Sequence, residues 1–180
     1  MINTDKKKVV SSAYFGGGCF WCLEAQFNLL TGVVSVVSGY AGGLKPHPTY
    51  ESVCSGESGH AEIVRIDYDP EVISYKDLLH EFFAMHDPTT LNRQGHDVGT
   101  QYRSVIYYTT EEEMRLALLG VEEMQLQYLS KIVTEVTKLQ EFFPAEAYHQ
   151  NYYTTNPSNG YCQTVIRPKV EKLKTKLERA

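Results

Sequence analysis

The spacing of apolar residues changes period several times along this chain, and each change marks an element. Val9 to Phe15 reads as a strand that runs into Gly16-Gly17-Gly18. From Phe20 the period lengthens: Phe20, Leu23, Phe27 and Leu30 share one face of a helix, with Gly32 past its end. Val33 to Tyr40 is a β-branched strand stopped by Ala41-Gly42-Gly43, and the polar, Pro- and Gly-containing stretch from Leu44 to Gly59 reads as a loop. Ala61 to Tyr68 alternates as a strand, with Ile63, Arg65 and Asp67 opposite Glu62, Val64 and Ile66. Ser74 caps a helix through His86, with Asp77 placed to complete a capping box. Asp87 to Gln101 reads as a loop and Tyr102 to Thr109 as a strand. Thr110 with Glu113 is a second capping box, for a helix reaching about Ser130. Ile132 to Leu139 is expected to close the sheet, a short helix to cover Ala145 to Tyr153, and a Lys-rich helix to end the chain. The order β-α-β, β-α-β predicts an α+β fold: a ferredoxin-like two-layer sandwich with a split βαβ core, additional helices and a long C-terminal segment.

Composition narrows the class without changing that picture. A chain of 180 residues fits one domain, residues 1–180, with the segment from about 145 to 180 as its C-terminal part. The net charge of −5 and the scattered Lys and Arg, apart from Lys6-Lys7-Lys8 and the final segment, give no basic stripe for nucleic acid. No run approaches the roughly 20 apolar residues that span a bilayer. MINTDKKKVV carries charge with no apolar run behind it, so no secretory signal is expected and the expected compartment is a reducing cytoplasm. Four Cys in such a compartment point to reactive thiols, not to a disulfide scaffold.

The candidate chemistry starts at Gly16-Gly17-Gly18-Cys19-Phe20-Trp21-Cys22. A strand ends, glycines turn the chain, and Cys19 stands where a helix begins, among free N–H groups and the positive end of the dipole. That placement predicts an acidic, nucleophilic thiol. Cys22 completes a C-x-x-C on one helix face, sterically open to a disulfide or a shared metal. A structural zinc site wants four ligands at matching spacing, and Cys54 and Cys162 are isolated, so no metal is expected. Glu62, after the Gly- and Ser-rich loop, is a carboxylate that burial could tune for general acid work, or else a solvent-facing strand residue. Tyr50, the polar run Gly95 to Ser104, and the segment from His149 to Cys162 complete the candidates. Cys162, on a Gly-, Pro- and Asn-rich stretch, reads as a mobile, exposed thiol.

Gly18-Cys19-Phe20-Trp21, Ser38-Gly39-Tyr40-Ala41-Gly42-Gly43, Pro48-Thr49-Tyr50, Gly59-His60-Ala61-Glu62, Asp97 to Ser104 and Tyr148-His149-Gln150 together closely resemble the peptide methionine sulfoxide reductase A family. The resemblance runs in order over roughly residues 10 to 162. It implies reduction of methionine S-sulfoxide, free and in proteins, with Cys19 as nucleophile and Glu62 as acid, assisted by the Tyr50 and Tyr102 hydroxyls. Phe20 and Trp21 would wall the pocket for the substrate methyl, with Asp97, His149 and Tyr161 as polar positions around it. It further implies a sulfenic acid on Cys19, a disulfide with a second thiol, and reduction by an external dithiol such as thioredoxin, in a monomer without metal or organic cofactor. Cys162 is the favoured resolving thiol and Cys22 its rival; Cys54 is expected to stand aside. Two departures stand out: many relatives have Gly at the Cys22 position, and many carry a further Cys beyond the Cys162 position. The competing reading is a C-x-x-C redox sensor or oxidoreductase without sulfoxide reductase activity.

Overall fold

A computed structural model describes residues 9–179, so the Lys6-Lys7-Lys8 cluster lies outside the described residues. The first half of the chain runs β1 (Ser11–Gly16), α1 (Phe20–Phe27), β2 (Val33–Ala41), α2 (Tyr50–Cys54), β3 (Ala61–Tyr68) and α3 (Tyr75–Met85). A two-residue hairpin, β4 (Arg93–Gln94) and β5 (Asp97–Val98), is followed by β6 (Val105–Tyr108) and α4 (Glu111–Gln125). β7 (Glu135–Lys138), β8 (Phe142–Pro144), α5 (Tyr152–Thr155) and α6 (Arg167–Glu178) complete the fold.

Six strands form one mixed sheet in the order β7-β6-β1-β3-β2-β8. All pairs are antiparallel except the edge pair β6 and β7. The period-2 alternation of the strands sorts their residues between the two faces. Phe15, Val64, Ile66 and Ile106 join one large core with Leu23 and Phe27 of α1, Leu78, Leu79, Phe82 and Phe83 of α3, Ala117 of α4 and Leu173 of α6. Ile63, Val105 and Tyr107 join a smaller cluster on the opposite face, with Tyr14 and Phe142 packed against it. Phe15 stacks on Phe82 with ring centroids 4.9 Å apart; such a pair adds about 0.5–1.5 kcal/mol beyond the area it buries. The result is an α+β fold, and no helix among the described residues is long and apolar enough to cross a membrane.

Capping chemistry explains the helix starts. Ser74 and Asp77 exchange side-chain and backbone bonds as a complete capping box. Thr110 accepts from the Glu113 N–H, while the Glu113 carboxylate reaches one residue further back, to the N–H and hydroxyl of Thr109. Several expectations need correction. The stretch from 44 to 59 contains α2, started by a capping box of Thr49 and Ser52. The expected loop from 87 to 101 holds the β4–β5 hairpin, and Tyr102 ends a tight turn, Thr100–Tyr102, instead of opening a strand. Ala145 to Tyr153 is a short turn, Ala147–His149, separated from α5 by Asn151 in the left-handed conformation. Cys162 is neither exposed nor on a loop: it is fully buried and opens a wide helical turn, Cys162–Ile166, that runs into α6.

Candidate active site

Cys19 is the N-cap of α1, with extended backbone, one residue beyond the glycine turn that leaves β1. Gly18 makes that turn with φ of +95°, and a Cβ there would come within 2.7 Å of the Gln94 side chain. The N–H of Phe20, one of the free donors of the first helical turn, points across the sheet and donates to Glu62 Oε2 at 3.1 Å. Glu62 shares a face of β3 with Val64 and Ile66, so its parity turns the carboxyl under α1. It is 1% exposed. Burial pushes the Glu62 carboxyl up to about 8, against the Phe20 N–H and assisted by the charge of Asp97.

The same environment corrects the expectation for Cys19. Burial drives its thiol well above the ordinary range, followed by its hydrogen bond with Cys22 and the charge of Glu62. The helix terminus loses this contest because α1 is eight residues long and the Glu62 carboxyl already occupies the neighbouring N–H. Cys22 moves the opposite way: accepting from the Cys19 thiol lowers it, and Lys169 and Tyr161 add to that effect.

Cys19, Phe20, Trp21, Tyr50, Glu62 and Tyr102 line a cavity of about 220 Å³, closed by Asp97, Asn159 and Tyr161. Tyr50 arrives at the start of α2, its N–H held by Glu146 Oε1 at 2.8 Å, while Glu146 Oε2 accepts from Tyr40 at 2.8 Å. Burial raises the Tyr50, Tyr102 and Tyr161 hydroxyls. The Tyr161 hydroxyl donates to Asp97 Oδ2 at 2.5 Å and lies 3.8 Å from Cys22 Sγ. His149 stands behind the aromatic wall, its Nδ1 accepting from Trp21 Nε1 at 3.1 Å and its ring packed on Phe20 and Tyr50. Trp21 is clamped on its other side by Tyr152, the rings 3.7 Å apart and 5° from parallel. This arrangement can seat a small apolar group against Phe20 and Trp21 and surround a neighbouring oxygen with protonated acids.

The residues expected at the site therefore converge, with three exceptions of position. His149 supports the wall from behind, and Cys22 and Cys162 lie beneath the cavity in the core. Cys54 is exposed, yet its thiol touches the Tyr50 hydroxyl one helical turn away. Sequence reasoning missed Glu146, Tyr152 and Glu24. Buried Glu24 accepts from the N–H groups of Asn151 and Tyr152 and so fixes Tyr152 against Trp21. No local pattern announces these three, because each acts on a partner more than ninety positions away. Among the described residues no group of three or more His, Cys, Asp and Glu could hold a metal ion.

The peptide methionine sulfoxide reductase family model matches residues 11–180. A peptide methionine sulfoxide reductase MsrA of Nautilia profundicola is 58% identical over 167 residues, covering 92% of this chain and 96% of its own. Reduced Mxr1 from Saccharomyces cerevisiae superposes with a TM-score of 0.80 at 35% identity, over 88% of this chain and 91% of that one. Mxr1 in complex with Trx2 superposes at 0.58 and 25% identity, over 84% and 90%. A match of this length, on a chain whose distant motifs fold around one thiol and one buried acid, means that the chain belongs to the peptide methionine sulfoxide reductase family.

Proposed function

We propose that the protein reduces the S epimer of methionine sulfoxide, free and in proteins, with Cys19 as nucleophile and Glu62 as acid. Sulfoxide oxygen leaves poorly until it is protonated, so the thiol needs an acid opposite it. The Cys19 sulfur attacks the substrate sulfur while Glu62, Tyr50 and Tyr102 hydrogen-bond and protonate the oxygen. Two electrons pass from Cys19 to the substrate, methionine departs, and the oxygen stays on Cys19 as a sulfenic acid. Phe20 and Trp21 take the methyl group, and Asp97, Tyr161 and His149 hold the cavity around it. A second thiol then condenses with the sulfenic acid, releasing water, and an external dithiol reduces the disulfide. Thioredoxin fits that last role, as the yeast relative's complex with Trx2 supports. The reading needs no metal or organic cofactor.

The observation that carries this reading is a buried carboxyl, raised to about 8, bonded to the N–H beside Cys19 in the cavity the thiol lines. We extend the proposal to the frame: residues 1–180 form one catalytic domain with a ferredoxin-like core, supported by the order β6-β1-β3-β2 with α1 and α3 as its crossovers. The test is incubation with racemic methionine sulfoxide and a dithiol, following each epimer. Consumption of the S epimer alone is expected. No consumption, with Cys19 intact, would leave the C-x-x-C redox sensor as the better reading.

A further inference from the structure

Behind the apolar wall of the cavity a line of contacts runs from Trp21 to Glu146. The Trp21 indole N–H donates to His149 Nδ1 at 3.1 Å. His149 is 1% exposed, and its other ring nitrogen, Nε2, is buried without a hydrogen-bond partner. The Glu146 carboxylate faces Nε2, with Oε2 3.6 Å away across the turn Ala147–His149. That carboxylate also accepts the Tyr50 N–H on Oε1 and the Tyr40 hydroxyl on Oε2, both at 2.8 Å. The turn itself is fixed: the Gln150 side chain accepts from the Ser38 N–H and donates to the Ser38 and Ala145 carbonyls, tying the segment to β2.

Counting protons gives this line of contacts a direction. An indole nitrogen only donates, so His149 Nδ1 must be bare. Burial lowers the imidazole pKa, opposed by the Glu146 charge, so the ring is neutral and its one proton sits on Nε2, toward the carboxylate. A gap of 3.6 Å is too wide for a hydrogen bond, but a charge acts across it and buried groups are screened little. With the proton on Nδ1 instead, two N–H groups would meet at the Trp21 contact and the bare Nε2 would face a negative charge. That arrangement would drive the indole from its seat between His149 and Tyr152.

Resting on the reductase reading, we infer that Glu146 is a positioning residue for the methyl pocket: its charge holds the His149 proton on Nε2, which leaves Nδ1 open to Trp21. The same side chain anchors the start of α2 and with it Tyr50, so one carboxylate sets an apolar and a polar wall of the cavity. Glu146→Gln separates the two duties. The amide oxygen still accepts the Tyr50 N–H, while the Tyr40 hydroxyl turns to accept from the amide nitrogen. The second amide N–H then faces His149 Nε2 and favours moving the ring proton to Nδ1, against the indole.

Nitrogen NMR of the full-length protein reads the tautomer directly. The wild type is expected to show His149 protonated at Nε2 and bare at Nδ1; a proton on Nδ1 overturns the inference. In Glu146→Gln the two should exchange, and the Trp21 indole N–H should lose protection from hydrogen exchange. Methionine release in a single turnover, followed across sulfoxide concentration, should show half-saturation raised about tenfold or more while the limiting rate changes far less. Bound substrate and transition state share the methyl contact, and a buried donor left facing a donor carries a cost of that size. An unchanged tautomer, or a loss confined to the limiting rate, overturns the inference. Trp21→Phe removes the indole donor, so in that background Glu146→Gln should leave half-saturation where Trp21→Phe alone puts it. An equal rise in both backgrounds assigns Glu146 to the fold alone and overturns the positioning role. If the wild type releases no methionine, the reductase reading falls, whereas the spectra decide the tautomer independently of turnover.

Discussion

Glu62 keeps its proton at neutral pH because it has lost water and gained only one N–H partner. An acid must enter the reaction protonated, so the first-turnover rate should fall as pH rises through about 8. Glu62→Gln keeps an acceptor for the Phe20 N–H but has no proton of that kind to give. Its first turnover should drop about 10²–10⁴-fold, and the alkaline limb should vanish. Methionine release in a quenched single turnover reads both; a near-normal rate would remove Glu62 from the acid role. Cys19→Ser should release no methionine, since a hydroxyl cannot take the oxygen as a sulfenic acid, and a measurable yield would mean another thiol attacks.

The junction of β1 with α1 concentrates what the element scale decides. Gly18→Ala meets two obstacles together, a left-handed backbone and the Cβ and Cγ of Gln94. Gln94 cannot swing aside, because its amide bonds both the N–H and the carbonyl of Asp87. A cost on the order of 1–3 kcal/mol is expected in urea unfolding, with a slowed first turnover as Cys19 shifts. Wild-type values for both would show that the turn tolerates a side chain. This junction was legible in the sequence, as were the larger helices and central strands, because core burial imposes periods of 2 and 3.6 that survive in the residue order. So was the parity of Glu62: alternation placed it with Val64 and Ile66, although strand exposure could not be judged without knowing what lay above. What stayed hidden depends on partners distant in sequence. The edge strand β8 exists because β2 receives it, and α2 is short enough to pass for a loop. The burial of Cys162, against its Gly-, Pro- and Asn-rich surroundings, follows from α6 docking on α1. The thiol pKa of Cys19 was misjudged because the dipole is a local property and desolvation is not.

At the scale of the whole molecule, the buried acid links function to folding. The carboxyl of Glu62 binds its proton more tightly folded, up to about 8, than at its ordinary 4.5. Its contribution to stability is therefore fully present below about 4.5 and is lost as pH rises through about 8. Relative to the wild type, Glu62→Gln should gain stability steadily across that window in urea unfolding; a constant difference would place the carboxyl in a wetter setting. The site itself is a product of complete folding, since its walls come from residues 19 to 161, on α1, α2, β3, β5 and the C-terminal segment. One wall residue is also singular in the chain. Trp21 is the sole tryptophan among 180 residues, and it lies between Tyr152 and the reacting thiol's cavity, bonded to His149. Its emission carries no background from other indoles, so occupation of the cavity, oxidation of the neighbouring sulfur and loss of the ring clamp each change the colour or intensity of one fluorophore. The protein arrives with its own optical label at the place where a spectroscopist would choose to attach one.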